Sequence, residues 1–155
     1  MDNLRRIASF SVNHDFVTEG IYVSRIDGDI TTYDLRTRVP NAGDYMDNLT
    51  MHSLEHMFAT YVRASIIADR VIYFGPMGCQ TGFYLLVRDA NNKAVLDEVK
   101  RVLAEIMSYE GEMPGMSEIE CGNYRNLDCN LARNEAKTYL EKIKSETEND
   151  LEYEK

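Results

Sequence analysis

The pentapeptide His52-Ser53-Leu54-Glu55-His56 holds two of the chain's three histidines. In a helix, residues four apart stand one turn apart on one face, so both imidazoles can reach a single metal ion. Glu55 lies beside that face, near enough to act as an acid or base without ligating. The order H-x-x-E-H is the inverted zinc-peptidase pattern. Its plain alternative is a polar decoration of a helix surface. Two histidines leave a catalytic metal centre one protein ligand short, since such centres usually take three and keep a position for water or substrate. Cys121, 65 residues after His56 and just past a loop with Gly111, Pro114 and Gly115, is the candidate third ligand. The alternative there is a buried thiol, the role expected of Cys129.

A second thiol sits in Gly75-Pro76-Met77-Gly78-Cys79-Gln80-Thr81-Gly82. A cysteine in a glycine-punctuated loop between strands can be exposed and backed by free amide N–H groups. Such a setting makes a nucleophile or a base of it. Taken alone, the segment reads more simply as a tight turn around a small buried thiol. Arg36, in Asp34-Leu35-Arg36-Thr37-Arg38, could hold a thiolate or an anionic intermediate at a strand end, although an arginine there is more commonly a surface charge.

These groups need elements to carry them. Residues 7–13, 20–26 and 29–38 are rich in β-branched and aromatic residues with alternating polarity, which predicts strands. Asp27-Gly28 marks a hairpin. Leu54, Met57, Phe58, Tyr61 and Val62 recur at helical spacing and predict a helix over 50–67, capped by Thr50 or Asn48. Residues 70–75 and 82–88 predict two more strands, 92–109 an amphipathic helix and 130–145 a last helix. The expected fold is α+β, with helices packed on a mostly antiparallel sheet and the metal motif on a central helix. Residues 1–155 are expected to form a single domain, with an acidic, frayed tail from 146 to 155.

Composition narrows the partners. Seventeen Lys and Arg against 26 Asp and Glu leave a net charge of −9, which disfavours nucleic acid and anionic membrane surfaces. No apolar run approaches the roughly 20 residues of a membrane span. No signal peptide is expected from the N-terminal stretch, and three cysteines make no disulfide framework, so a cytoplasmic chain with reduced thiols is expected.

Taken together, five segments in order resemble the S-ribosylhomocysteine lyase (LuxS, autoinducer-2 synthase) family. They are Ser9-Phe10-Ser11-Val12-Asn13-His14, the run YDLRTRVPN at 33–41, the metal pentapeptide, GPMGCQTGFY at 75–84 and Cys121-Gly122-Asn123-Tyr124. The resemblance runs from about residue 9 to about residue 128. It implies that His52, His56 and Cys121 hold one divalent ion per subunit, natively Fe²⁺, with Zn²⁺ or Co²⁺ able to substitute. It implies that Cys79 and Glu55 are the acid/base pair, with Arg36 beside Cys79. It further implies a homodimer with active sites at the interface, Ser9 and His14 reaching across it to the substrate and Arg63 completing the pocket. The implied reaction cleaves S-ribosylhomocysteine to homocysteine and 4,5-dihydroxy-2,3-pentanedione, the autoinducer-2 precursor, by carbonyl migration and β-elimination. That product could serve quorum sensing or the methyl cycle. The chain departs from the family pattern at Asn13 (often Asp), Ser53 (commonly Thr), Leu127 (commonly His) and Tyr73-Phe74-Gly75, where some members are more acidic. Two rivals remain open on sequence alone. One is an inverted-motif zinc peptidase that draws a carboxylate ligand from Glu98, Glu105 or Glu110. The other is a non-catalytic metal-binding module.

Overall fold

A computed structural model describes residues 7–153 and not the side chains of Ala8 and Ser9. Four strands, β1 (Gly20–Asp27), β2 (Ile30–Arg36), β3 (Val71–Pro76) and β4 (Gly82–Arg88), form an antiparallel sheet in the order β1-β2-β4-β3. The helices are α1 (Ala8–Ser11), a single turn, then α2 (Asn48–Val62), α3 (Asn92–Met107) and α4 (Cys129–Ile143). The α+β expectation holds. The three long helices pack on one another and α2 also packs on β3.

The β1–β2 hairpin closes where expected, with Gly28 at φ +60°, a conformation that favours glycine. On α2, Met51, Leu54, Met57, Phe58 and Val62 are buried, the i, i+3, i+4 stripe that lays a helix on a sheet. Phe58 stacks on Phe74 of β3 at 4.3 Å, and Phe74 on Phe83 of β4 at 5.0 Å, which joins helix and sheet through one aromatic column. His52, Glu55 and His56 occupy the flank of α2 beside this stripe.

Three expectations need correction. Residues 7–13 do not enter the sheet. Phe10 N–H and Ser11 Oγ both bond to the Ile7 carbonyl, making the short turn α1. Ile7 and Phe10 stay exposed, so the segment has no apolar face for a strand to bury. The helix expected over 50–67 runs from 48 to 62. It begins at Asp47, not Thr50 or Asn48, because the Asp47 carboxylate accepts the Thr50 N–H at 2.7 Å. It ends where Ser65 Oγ donates to the Val62 carbonyl. The acidic C-terminal segment does not fray through residue 153. Leu151 is buried and its carbonyl accepts the Val23 N–H at 2.7 Å. Glu146 accepts the Ile21 N–H, and Lys100 donates to the Glu146 carbonyl. The segment therefore lies as a strap over the edge strand β1, covering backbone groups that an open edge would expose.

Candidate metal centre and thiol site

One turn of α2 brings the two imidazoles together, with ring centroids 4.7 Å apart and planes nearly perpendicular. The loop between α3 and α4 delivers Cys121 to them. His52 Nε2 and Cys121 Sγ stand 3.4 Å apart, and the three ligand atoms all lie within 4.8 Å of one another. Tetrahedral coordination at ordinary Zn–N and Zn–S lengths puts N and S roughly 3.5 Å apart, so the set is close to closing on an ion. The ring orientations support this. His52 Nδ1 faces the Asn126 carbonyl at 2.7 Å, and His56 Nδ1 faces the Pro114 carbonyl at 3.0 Å. A carbonyl only accepts, so each Nδ1 carries the proton and each Nε2 keeps its lone pair for a metal.

Gly115 makes this possible. Its φ is +72°, and a Cβ there would stand 3.1 Å from His56 Nδ1 and 3.3 Å from Cε1. Ser53 is fully buried between the two histidines. Its Oγ accepts the Asp128 N–H at 2.8 Å, tying α2 to the residue that caps α4. Leu127, in place of the family's common histidine, packs in the core and has no polar role here. Glu55 lines a cavity of about 250 Å³ with His52, Asn48, Asn123 and Asn126. The carboxylates considered as a third ligand lie elsewhere: Glu98 and Glu105 pair with Arg101 on α3. Sulfur, not oxygen, joins the two imidazoles.

Cys79 sits in the β3–β4 loop, exposed, in a second cavity of about 290 Å³ shared with His14, Tyr45, Asn41 and Thr81. The loop is clamped on both sides. Met77 N–H bonds to the Gly82 carbonyl, Met46 N–H to the Gln80 carbonyl, and the Thr37 and Arg38 N–H groups both bond to the Thr81 carbonyl. These bonds hold Gln80 at φ +65°, a left-handed conformation unusual for a residue with a Cβ. Gly82 lets the strands approach, since a Cβ there would meet the Leu35 carbonyl at 2.6 Å.

Arg36 reaches this cavity from behind. Its Nη1 donates to Thr81 Oγ1 at 2.8 Å, and Thr81 Oγ1 lies 3.0 Å from Cys79 Sγ. Its Nη2 pairs with Asp34 Oδ2 at 2.5 Å, both side chains being buried. Burial works against the guanidinium's charge, but Asp34, and more weakly Cys79, hold its pKa above the usual arginine value. Asp34 Oδ2 also accepts the Tyr153 hydroxyl at 2.6 Å.

The structure thus places Arg36, His14 and Cys79 together, and His52, His56, Cys121 and Glu55 together. The two cavities share no lining residue among those described. Arg63 caps the far end of α2, about 16 Å along the axis from His52, and lines neither. Ser9 belongs to α1, and its side chain lies outside the described residues. Sequence reading missed Asp34, Thr81 and Tyr153. Two signals were present: residues 34 and 36 share a face of a strand, and residue 81 follows two after the thiol. Nothing local marks Tyr153.

An α+β scaffold that converges two imidazoles and a thiol on one point, with a second thiol in a separate cleft, defines a candidate metalloprotein. The family model for S-ribosylhomocysteinase (LuxS) matches residues 7–150, and the chain belongs to that family. It is 41% identical over 155 residues to the S-ribosylhomocysteine lyase of Finegoldia magna, covering 97% of this chain and 99% of the relative. The S-ribosylhomocysteine lyase of Borreliella burgdorferi is 36% identical over 97% of this chain and 99% of its own. That of Desulfotalea psychrophila is 41% identical over 90% of this chain and 92% of its own.

Proposed function

We propose that the chain is a metal-dependent lyase that cleaves the thioether of S-ribosylhomocysteine, releasing homocysteine and 4,5-dihydroxy-2,3-pentanedione. The convergence of His52 Nε2, His56 Nε2 and Cys121 Sγ carries this reading, together with family membership. An imidazole and thiolate set suits Fe²⁺, Co²⁺ or Zn²⁺ and not Mg²⁺ or Ca²⁺. Fe²⁺ is the proposed native ion, one per subunit. When bound, that ion supplies Lewis acidity toward a sugar carbonyl or hydroxyl.

The remaining chemistry belongs to side chains. As a thiolate, Cys79 removes a proton from the carbon beside the carbonyl and returns one to its neighbour. Repetition of this step walks the carbonyl along the ribose. Glu55 then takes the proton whose loss expels the homocysteine sulfur by β-elimination. Arg36 acts on Cys79 through Thr81, not by direct contact. His14, with its Nδ1 turned to the Val12 carbonyl at 3.0 Å, presents Nε2 for substrate. Ser9 and Arg63 are proposed as further substrate contacts.

A single copy lines the Cys79 cavity and the Glu55–His52 cavity with different residues, and the proposed assembly is a homodimer whose sites join one copy's Cys79 cavity to its partner's metal ligands. Exposed apolar residues on both rims fit that assembly: Tyr45 beside Cys79, and Met116 and Ile119 on the loop that carries Cys121. No helix among the described residues is long and apolar enough to cross a membrane. The free thiols that the chemistry needs fit the reducing cytoplasm.

The test is to load the protein with Co²⁺ or Fe²⁺, add S-ribosylhomocysteine and measure thiol release. Cys79→Ala is expected to keep stoichiometric metal and lose turnover. Full activity in that variant would remove Cys79 from the reaction.

A further inference from the structure

The hydrogen bonds behind Cys79 start from one fixed donor. A guanidinium donates and never accepts, so Thr81 Oγ1 must accept from Arg36 Nη1. Thr81 Oγ1 also lies 3.0 Å from Cys79 Sγ, so its own proton can be donated to a thiolate there. A thiolate can only accept that proton, whereas a thiol would have to donate to an oxygen that already accepts from the guanidinium. Behind Arg36, Asp34 Oδ2 accepts from Arg36 Nη2 and from the Tyr153 hydroxyl. Burial and the Asp34 charge push Tyr153 far above the usual tyrosine pKa, so it remains a donor. Tyr153 is itself held by the C-terminal strap and by stacking on Tyr22 at 4.8 Å.

The Asp34–Arg36 pair is nearly sealed from solvent, and Asp34 Oδ1 and Arg36 Nε have no partner among the described residues. An ion pair closed on itself would present little charge to the site. The second donor to Asp34 Oδ2 changes that balance. Tyr153 draws on the carboxylate's negative charge and leaves more of the guanidinium's for Nη1, the nitrogen that faces Thr81.

We propose that Thr81 and Tyr153 are positioning residues for the Cys79 sulfur, forming a directed relay from Tyr153 through Asp34, Arg36 and Thr81 that favours the thiolate. The role rests on the reading of Cys79 as the working thiol, but its test does not depend on turnover. The Thr81 hydroxyl is the last donor. Tyr153 makes the last residues of the chain part of the thiol site, although they lie over the opposite edge of the sheet's β1–β2 pair.

The experiment measures the rate at which iodoacetamide alkylates Cys79 in zinc-loaded protein, read on the peptide that contains it so that Cys121 and Cys129 do not contribute. Thr81→Val keeps the shape and removes the hydroxyl, and is expected to slow alkylation about tenfold. Thr81→Ser keeps the hydroxyl and loses the methyl, and is expected to react within about twofold of the parent. Tyr153→Phe removes one oxygen from a partly exposed ring and is expected to slow the reaction about threefold. A Thr81→Val protein that reacts at the parent rate would overturn the relay. So would a Thr81→Ser protein as slow as Thr81→Val, which would mean that packing and not the hydroxyl matters. A Tyr153→Phe protein at the parent rate would sever the tail from it. If Thr81→Val does not fold, Thr81→Ala against Thr81→Ser isolates the same hydroxyl. Failure of the lyase reading shows separately, as absence of thiol release by the parent protein.

Discussion

Gly115 contributes no ligand, yet it decides whether His56 can be one. Its backbone occupies the left-handed region, and any Cβ would press on the ring nitrogen that bonds to Pro114. Gly115→Ala is expected to leave the fold intact and weaken metal binding about tenfold, the usual scale for disturbing a group that orients a ligand. Titration against a chromophoric chelator reads this directly. Cys121→Ala is expected to go further and lose stoichiometric metal, because two imidazoles alone leave the centre a ligand short. Stoichiometric metal in that variant would refute the ligand assignment. At this scale the sequence told a great deal. The four-residue spacing of His52 and His56 carries its own geometry, and Cys121 could be named because a third ligand was owed. The carbonyls of Pro114 and Asn126 could not be named, because every residue has one and only the folded loop selects which faces a ring. The same holds for Tyr153, which meets Asp34 across 119 residues of chain.

Among the elements, α2 does two jobs on adjacent flanks, and its apolar flank fixes where its polar flank points. Leu54, fully buried between the two histidines, is expected to cost about 2–5 kcal/mol when cut to alanine, measured as the denaturant midpoint. The helices and four of the strands were legible because their apolar periods persist over several turns or residues. The segment 7–13 misled because alternation alone does not supply a face to bury. The tail misled because its acidic composition hides one apolar anchor, Leu151, and one half-buried carboxylate, Glu146. Burial pushes Glu146 up to about 7, its bond from Ile21 opposing this only in part. A Cβ on Gly20 would stand 2.5 Å from Glu146 Oε1, so the carboxylate lies directly against the β1 backbone, where only a glycine leaves it space. The folded state therefore holds the Glu146 proton more tightly than the unfolded state. Stability falls as pH rises from about 4.5 toward about 7, by about 1 kcal/mol after allowance for solvent screening. Glu146→Gln is expected to flatten that slope, seen as a smaller difference in Tm between pH 5 and pH 8 than the parent shows.

At the scale of the whole molecule the proposed function asks how a thiol in one cavity and a candidate metal centre at another would act on one five-carbon sugar. Within a chain, the β3–β4 loop and the β2–α2 segment line the cavity of Cys79, while Pro76 borders the cavity of Glu55. The proposed homodimer answers this, since a closed dimer presents the same two surfaces twice and can set one copy's thiol against the other's metal. The consequence is measurable with two dead proteins. In the proposed mechanism Cys79→Ala lacks the first base and Glu55→Gln lacks the second, and each alone is expected to be inactive. In a mixed dimer, one composite site combines both lesions and stays dead. The other joins the intact Cys79 of the Glu55→Gln copy to the intact Glu55 of the Cys79→Ala copy. Random exchange makes half of all dimers mixed, each with one working site of two, so mixing should restore about a quarter of parental thiol release. If each site were instead built within one chain, no mixture of the two variants would recover activity. An inactive mixture, with exchange of subunits verified by mass, would therefore place Cys79 and Glu55 of the same copy on the same substrate.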